Sequence, residues 1–161
     1  MATRRDISNI TLEGVRILFR NFAGEERQFN PKGKRNFCAI IDEDLAKTLK
    51  KDGWNIKVLR PRDEGDQEQC YIPVEVRYNS YPPKIIMVTS NGQTMLTEET
   101  VSLLDTAEIK NVDLIIRPYE WEPGKVKAYV KTMYVTIEED DLERKYYTPA
   151  TASIADDDDL F

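Results

Sequence analysis

The 161-residue chain is expected to be mainly β, a small Greek-key barrel with two short connecting α-helices and a disordered acidic C-terminal tail. Three observations predict this. Segments that alternate apolar and polar residues with period two outnumber helical segments. The helical segments are brief, and the alternating runs end in one long hairpin followed by a strongly acidic stretch. The domain is assigned to residues 1–137 and the tail to residues 138–161.

Ile10 to Phe22 reads as a strand with mixed sides, and Asn21 to Lys34 as a polar loop with two glycines and Pro31. Arg35 to Ile41 is the next strand, with Arg35, Phe37 and Ala39 on one face and Cys38 and Ile40 on the other. Asp42 caps a short helix with Glu43 and Asp44 in its first turn, Lys47, Lys50 and Lys51 toward its end, and Gly53 just beyond. Both charge biases suit the helix dipole, and glycine suits a left-handed exit. Leu45, Ala46 and Leu49 form its apolar stripe. Trp54 to Leu59 is a strand, followed by a charged loop from Arg60 to Gln69. Cys70 to Tyr78 alternates, with Ile72, Val74 and Val76 opposite Tyr71, Glu75 and Arg77. A strand from Ile85 to Thr89 follows Tyr81-Pro82-Pro83, and Thr97 caps a second short helix containing Val101 and Leu104. The final hairpin takes Val112 to Trp121 and Lys125 to Ile137, turning at Glu122-Pro123-Gly124.

Composition removes several chemistries. The chain has no histidine, so Ser-His-Asp and Cys-His catalysis, a histidine general base and His-ligated zinc are all excluded. Cys38 and Cys70 are too few for a four-thiolate site or a disulfide framework, and are expected to be inert buried thiols. No apolar run approaches the roughly 20 residues that span a bilayer. The basic start, Met-Ala-Thr-Arg-Arg, is not followed by the apolar stretch of a signal peptide. A soluble, reduced, cytoplasmic chain is expected.

The net charge of −6 hides a division. Residues 138–161 hold nine acidic groups against Arg144 and Lys145, whereas residues 1–62 hold 14 basic groups against 8 acidic ones. A basic first third with an acidic tail can bind polyanions and regulate that binding through the tail.

Along one strand of the last hairpin, Arg117, Tyr119 and Trp121 share a face. Along its partner, Lys125, Lys127, Tyr129 and Lys131 share one, opposite Val126, Ala128 and Val130. A two-residue turn at Pro123-Gly124 would need positive φ at its first position, which proline cannot adopt, so a three-residue loop is expected. It sets Trp121 opposite Lys127, Tyr119 opposite Tyr129 and Arg117 opposite Lys131. Rings interleaved with cations suit single-stranded nucleic acid, because bases stack on rings at about 1–3 kcal/mol each while Lys and Arg follow phosphates. Aromatics also stabilise an exposed strand pair without any ligand, and the hairpin alone leaves both readings open. Lys32, Lys34, Arg35, Phe37, Lys57, Arg60, Arg77, Tyr78 and Tyr81 are further candidates for the same groove. Phe37 and Tyr78 have a core reading as well, and Trp54 is assigned to the core.

The tail ends in Asp156-Asp157-Asp158-Asp159-Leu160-Phe161. Solubility explains the aspartates but not two apolar residues at the end, which suit docking of Phe161 in a basic-rimmed apolar pocket. The aspartates could also occupy the cationic groove when nucleic acid is absent, an autoinhibition that salt would weaken.

The ending "DDDDLF" resembles the acidic, phenylalanine-terminated tip of bacterial and bacteriophage single-stranded DNA-binding proteins. The segments "KGKRNFCAIID" and "VDLIIRPYEWEPGKVKAYVKTMYV", with the overall size, are similar to phage-encoded single-stranded DNA-binding proteins with an OB-fold. The bacterial tip usually carries proline before phenylalanine, whereas Leu160 stands here. The resemblance implies a replication and recombination protein that coats transient single strands and recruits enzymes through its tip. It also implies an OB-fold barrel.

The expected base-stacking set is Phe37, Tyr78, Tyr119, Trp121 and Tyr129. The expected phosphate-binding set is Lys34, Arg35, Lys57, Arg77, Arg117, Lys127 and Lys131. Residues Asp156 to Phe161 would bind partner proteins; no cofactor, metal, catalytic residue or membrane is expected, and the chain would be a monomer or homodimer. Two alternatives stand beside this. A carboxylate-based nuclease would use Asp63, Glu64, Asp66 and Glu75, but the first three fall in a loop with Gly65, and its lysine would be Arg77, which stays charged. A protein-interaction adaptor would use the tail and leave the ladder of rings without a role.

Overall fold

A computed structural model describes residues 7–60, 65, 68–79 and 81–139. Of the tail expected over residues 138–161 only Glu138 and Glu139 are described; the rest of it, with Asp156 to Phe161, and the loop acids Asp63, Glu64 and Asp66 lie outside the described residues.

Nine strands run through the described residues: β1 (Ile10–Leu12), β2 (Ile17–Asn21), β3 (Arg35–Ile41), β4 (Lys57–Leu59), β5 (Gln69–Val76), β6 (Lys84–Thr89), β7 (Gly92–Leu96), β8 (Ile109–Glu122) and β9 (Lys125–Ile137). A single α-helix among them, α1 (Glu43–Lys51), lies between β3 and β4, and a 3₁₀ turn (Val101–Asp105) precedes β8.

Hydrogen-bonded neighbours follow the order β2-β3-β5-β9-β8-β1. Along this order every pairing is antiparallel except β5 against β9, which is parallel. The two end strands, β1 and β2, belong to one stretch of backbone broken at Gly14, whose φ is +61°. Just beyond the break, Val15 N–H donates to the Val112 carbonyl at 2.9 Å, and Ile40 N–H donates to the Arg16 carbonyl at 2.9 Å. Adjacent residues thus bond to opposite ends of the sheet, and the sheet closes on itself. The result is the partly open Greek-key barrel of the OB-fold. Closure through a bend is the reason the strand expected over Ile10 to Phe22 is two strands.

The long strand β9 is flanked on one side by β8. On the other side lie β5 along Ala128–Tyr129 and β6, in parallel, along Thr132–Thr136. Alternation places Phe37, Ala39, Ile72, Val74, Val76, Val112, Leu114, Ile116, Val126 and Val130 inside. Phe22 and Phe37 stack at 5.2 Å at one end of this core.

The helix forms where expected. Asp42 accepts a 2.7 Å bond from Leu45 N–H, Glu43 and Asp44 fill the first turn, and Ala46 and Leu49 are buried. Gly53 leaves the helix at φ +95°, and a Cβ there would collide with the Gly124 carbonyl. Val126 N–H donates to the Gly53 carbonyl at 2.9 Å, so the helix exit braces the hairpin tip, with Trp54 buried beneath it.

Two further expectations are corrected. The second helix is not α-helical: Val101–Asp105 is 3₁₀, entered from Thr100 rather than Thr97. Five residues suffice to bury Val101 and Leu104, which three-residue periodicity sets on one side. Asp105 accepts bonds from Phe22 N–H (2.6 Å) and Ala23 N–H (2.9 Å), while Arg20 donates to the carbonyls of Leu104 and Ala107, both at 2.7 Å. These four bonds hold the turn to the end of β2. The other correction is β7, a strand where none was expected. It pairs with β6 through a tight turn at Ser90-Asn91, and Gly92 takes a φ of +136°. The Asn91-Gly92 pair between two apolar runs was the available signal.

Candidate nucleic-acid interface

The outward positions of β3, β5, β8 and β9 form one continuous face. It carries Asn36 and Cys38 on β3, Tyr71, Pro73 and Glu75 on β5, Lys127 and Tyr129 on β9, and Arg117 and Tyr119 on β8. Their neighbours in sequence on β3, β5 and β9 (Phe37, Ala39, Ile72, Val74, Val126, Ala128) are buried, which fixes the sense of the face.

The hairpin differs from its expected register. Only Pro123-Gly124 separate the paired residues Glu122 and Lys125, Tyr119 lies opposite Lys127, and Arg117 lies opposite Tyr129. Proline fits because the positive φ falls on the second loop residue: Gly124 has φ +80°, as in a type II turn. Such a turn matches strand twist poorly. The pairing slips between Glu120 and Glu122, leaving Trp121 as an extra residue that takes up the mismatch. A second slip opposite Ile115/Ile116 makes Lys131 the unpaired residue of β9, so it does not face Arg117.

The rings still converge. Tyr119 and Tyr129, diagonal in the register, stack at 5.4 Å with 19° between planes. Arg77 lies over the Tyr129 ring at 5.5 Å and donates from Nη1 to its hydroxyl at 3.0 Å. That bond, the largest influence on Arg77, raises its pKa further above the usual arginine value. Arg117 sits between rings, 4.8 Å from Tyr81 and 5.7 Å from Tyr129. Lys125 and Lys127 place their ammonium groups 5.3 Å and 5.5 Å from the centre of the Trp121 ring.

Beside this cluster runs a groove of about 510 Å³ lined by Lys34, Arg35, Glu75, Arg77, Tyr78, Glu98 and Lys127. It adjoins a smaller one of about 160 Å³ walled by Asn36, Cys38, Asn55 and Pro73 and shared at Lys34, Glu75 and Lys127. Acids neutralise part of the first groove: Lys34 Nζ is 3.4 Å from Glu75, and Arg35 Nη1 is 3.5 Å from Glu98. The Cys38 thiol is pushed up to about 11 by burial, against the opposing charge of Lys57. Burial likewise pushes the Tyr78 hydroxyl up to about 12, the Arg35 charge opposing and Glu98 and Glu99 adding to the rise.

The chain matches the family model described as "Putative phage ssDNA-binding domain" over residues 1–160. It belongs to that family. Among solved structures, it is similar to the C-terminally truncated single-stranded DNA-binding protein of bacteriophage Enc34, at 13% identity and TM-score 0.49, over 82% of this chain and 87% of that one. The same protein in complex with ssDNA gives 13% identity and TM-score 0.48, over 82% and 88%. Gp2.5, a single-stranded DNA-binding protein encoded by bacteriophage T7, gives 10% identity and TM-score 0.41, over 89% and 96%. No curated protein matches the chain.

Within this phage ssDNA-binding domain the expected residues divide into three groups. Tyr119, Trp121, Arg77, Arg117 and Lys127 come together on the outer face, with Trp121 48% exposed and Tyr119 47%. Lys34, Arg35 and Tyr78 line the adjoining groove, where Tyr78 is half-buried under the Arg35 guanidinium at 5.8 Å. Lys57 stands apart on β4, directly opposite Tyr71. Two stacking assignments are corrected. Phe37 is 0% exposed and stacks on Phe22, so no base can reach it. Tyr129 is only 5% exposed: its ring supports Tyr119 and two guanidinium groups rather than offering a free face.

Three exposed rings were not in the expected stacking set: Phe19 (57%), Phe29 (90%) and Tyr81 (76%). Tyr81 was legible as a groove candidate. Phe29 stands alone in a polar loop, and Phe19 lies in the unbroken apolar run Ile17-Leu18-Phe19, where alternation assigns no side. Phe19 and Tyr81 are the described non-glycine residues with positive φ, +54° and +50°. Such conformations cost on the order of 1–3 kcal/mol each.

Of the nuclease candidates only Glu75 and Arg77 lie among the described residues. Glu75 is paired with Lys34, Arg77 is held by Tyr129, and no group of three or more potential metal ligands occurs there. No helix among them is long and apolar enough to cross a membrane.

Proposed function

We propose that this domain binds single-stranded DNA with little regard to sequence, bases stacking on Tyr119 and Trp121 while phosphates follow Arg77, Arg117 and Lys127. The observation that carries the reading is the hairpin cluster, where the exposed rings of Tyr81, Tyr119 and Trp121 and the covered ring of Tyr129 lie within 4.8–5.7 Å of a cation or of one another. Aromatic faces accept any base, and cations contribute a salt-dependent term that is blind to sequence. Lys34, Arg35, Lys57 and Lys131 extend the positive field, and Tyr78 contributes as a wall of the groove. No step of this function needs a bond broken or a cofactor.

On this reading the protein coats and protects single strands during phage DNA replication and recombination, in the cytoplasm of the host cell, as a monomer or homodimer. The tail from Asp156 to Phe161 recruits replication or recombination proteins and competes with DNA for the cationic groove. The support for the tail is its sequence, four aspartates before two apolar residues.

The test is fluorescence anisotropy with labelled oligo-dT and a matched duplex across a salt series, using the full chain and residues 1–155. Tight binding to the single strand, weaker binding to duplex and a gain on truncation are expected. Failure of both forms to bind oligo-dT at low salt would overturn the reading and favour a protein adaptor.

A further inference from the structure

We infer that the domain carries a second base-stacking station, formed by Phe19 and Tyr71 with Lys57 beside them, on the β2–β5 side of the outer face, across the sheet from the Tyr119 strand of the hairpin. This deepens the single-stranded DNA reading and rests on it.

Between Leu18 and Asn21 the β2–β3 pairing slips: Leu18 pairs with Cys38 and Asn21 with Asn36, so β2 carries one residue more than β3 over this stretch. Such a bulge normally has glycine at its left-handed position. Here Phe19 takes it, at φ +54°, and its ring is 57% exposed. Asn21 fixes the end of the bulge, its side chain donating to the Glu25 carbonyl at 3.0 Å and accepting from Glu25 N–H at 2.9 Å. A phenylalanine held outward in a conformation that favours glycine is not explained by packing. It does not lack a neighbour: the Phe19 ring meets Tyr71 edge-on at 6.1 Å.

Tyr71 belongs to the same outer row of β5 as Pro73 and Glu75. Lys57 pairs with Tyr71 across the β4–β5 ladder, so its ammonium stands on that face. The combination repeats the chemistry of the hairpin: two rings and a cation. The smaller groove, with Asn36, Cys38, Pro73 and Lys127 on its walls, reaches from the hairpin to Pro73, the outward neighbour of Tyr71 on β5. The occupant is single-stranded nucleic acid rather than an apolar peptide, because the rings are separate, flanked by charge and continuous with a cationic groove.

The test is binding of labelled oligo-dT of about 15 nucleotides to the full-length protein, its Phe19→Gly variant and its Phe19→Tyr variant. Glycine suits the positive φ, so Phe19→Gly removes the ring while keeping or raising thermal stability. It should weaken binding by about fivefold to a hundredfold without changing the salt slope, and Phe19→Tyr should restore it. Lys57→Gln should instead reduce the salt slope. If wild type binds and Phe19→Gly binds equally well, the second station is overturned while the hairpin reading stands. If wild type binds no oligo-dT, both fail.

Discussion

Two stacked aromatic pairs in this molecule have nearly the same geometry and opposite roles. Phe22 and Phe37 lie 5.2 Å apart at 26°, both fully buried under β3. Tyr119 and Tyr129 lie 5.4 Å apart at 19° on the outside of the last hairpin, with one ring covered and the other open. The difference lies in what surrounds them. The inner pair lies within the hydrophobic core and contributes through burial and ring stacking. The outer pair is ringed by Arg77 and Arg117, one of which donates to the Tyr129 hydroxyl. A ring becomes a stacking platform only if one face stays open while the other is backed by something rigid. On the proposed reading, Tyr129 supplies that backing for Tyr119.

The comparison can be broken most decisively in the core. Phe37→Ala should cost about 3–5 kcal/mol in chemical denaturation, as for other buried phenylalanines. A loss under about 1 kcal/mol would mean that Phe37 is not the core residue described. On the outer pair the balance should invert. Tyr119→Ala and Trp121→Ala should each weaken oligo-dT binding by about 1–3 kcal/mol while stability stays within roughly 0.5 kcal/mol. A large fall in stability with unchanged affinity would make those rings structural.

The cations give a smaller and different signature. Lys127→Ala should lower the slope of log affinity against log salt by about 0.7, the value for one phosphate contact to a single strand. An unchanged slope would remove Lys127 from the phosphate path. The weakest effect concerns pH. The Cys38 thiol and Tyr78 hydroxyl are raised by burial from 9.0 to about 11 and from 10.0 to about 12. Groups whose folded pKa lies above the unfolded value contribute stability that is complete below the unfolded pKa and is lost as pH rises through the folded one. Thermal melts should therefore show little contribution from these two groups' titration up to about pH 9 and a loss between about 9 and 12. The loss should be smaller in the Cys38→Ala, Tyr78→Phe double variant. An equal loss in that variant would assign the alkaline transition to other groups.

Much of the fold was legible along the chain. The strand from Arg35 to Ile41 matches in both limits, because its alternation is unbroken, and the helix capped by Asp42 is marked by charge at both ends. Identities alone also exclude histidine chemistry and show the division between basic body and acidic tail. Tertiary structure decided what period-two alternation cannot encode. Bulges at Phe19, Trp121 and Lys131 each add a residue without leaving a mark in local composition, and each changes which neighbours meet. Closure of the barrel turned one expected strand into two and buried Phe37. Sequence by itself therefore determined which residue types stand on which strands. Which rings are covered and which stay open was decided by strand partners distant in the chain, because burial depends on what packs against a face and not on the residues that compose it.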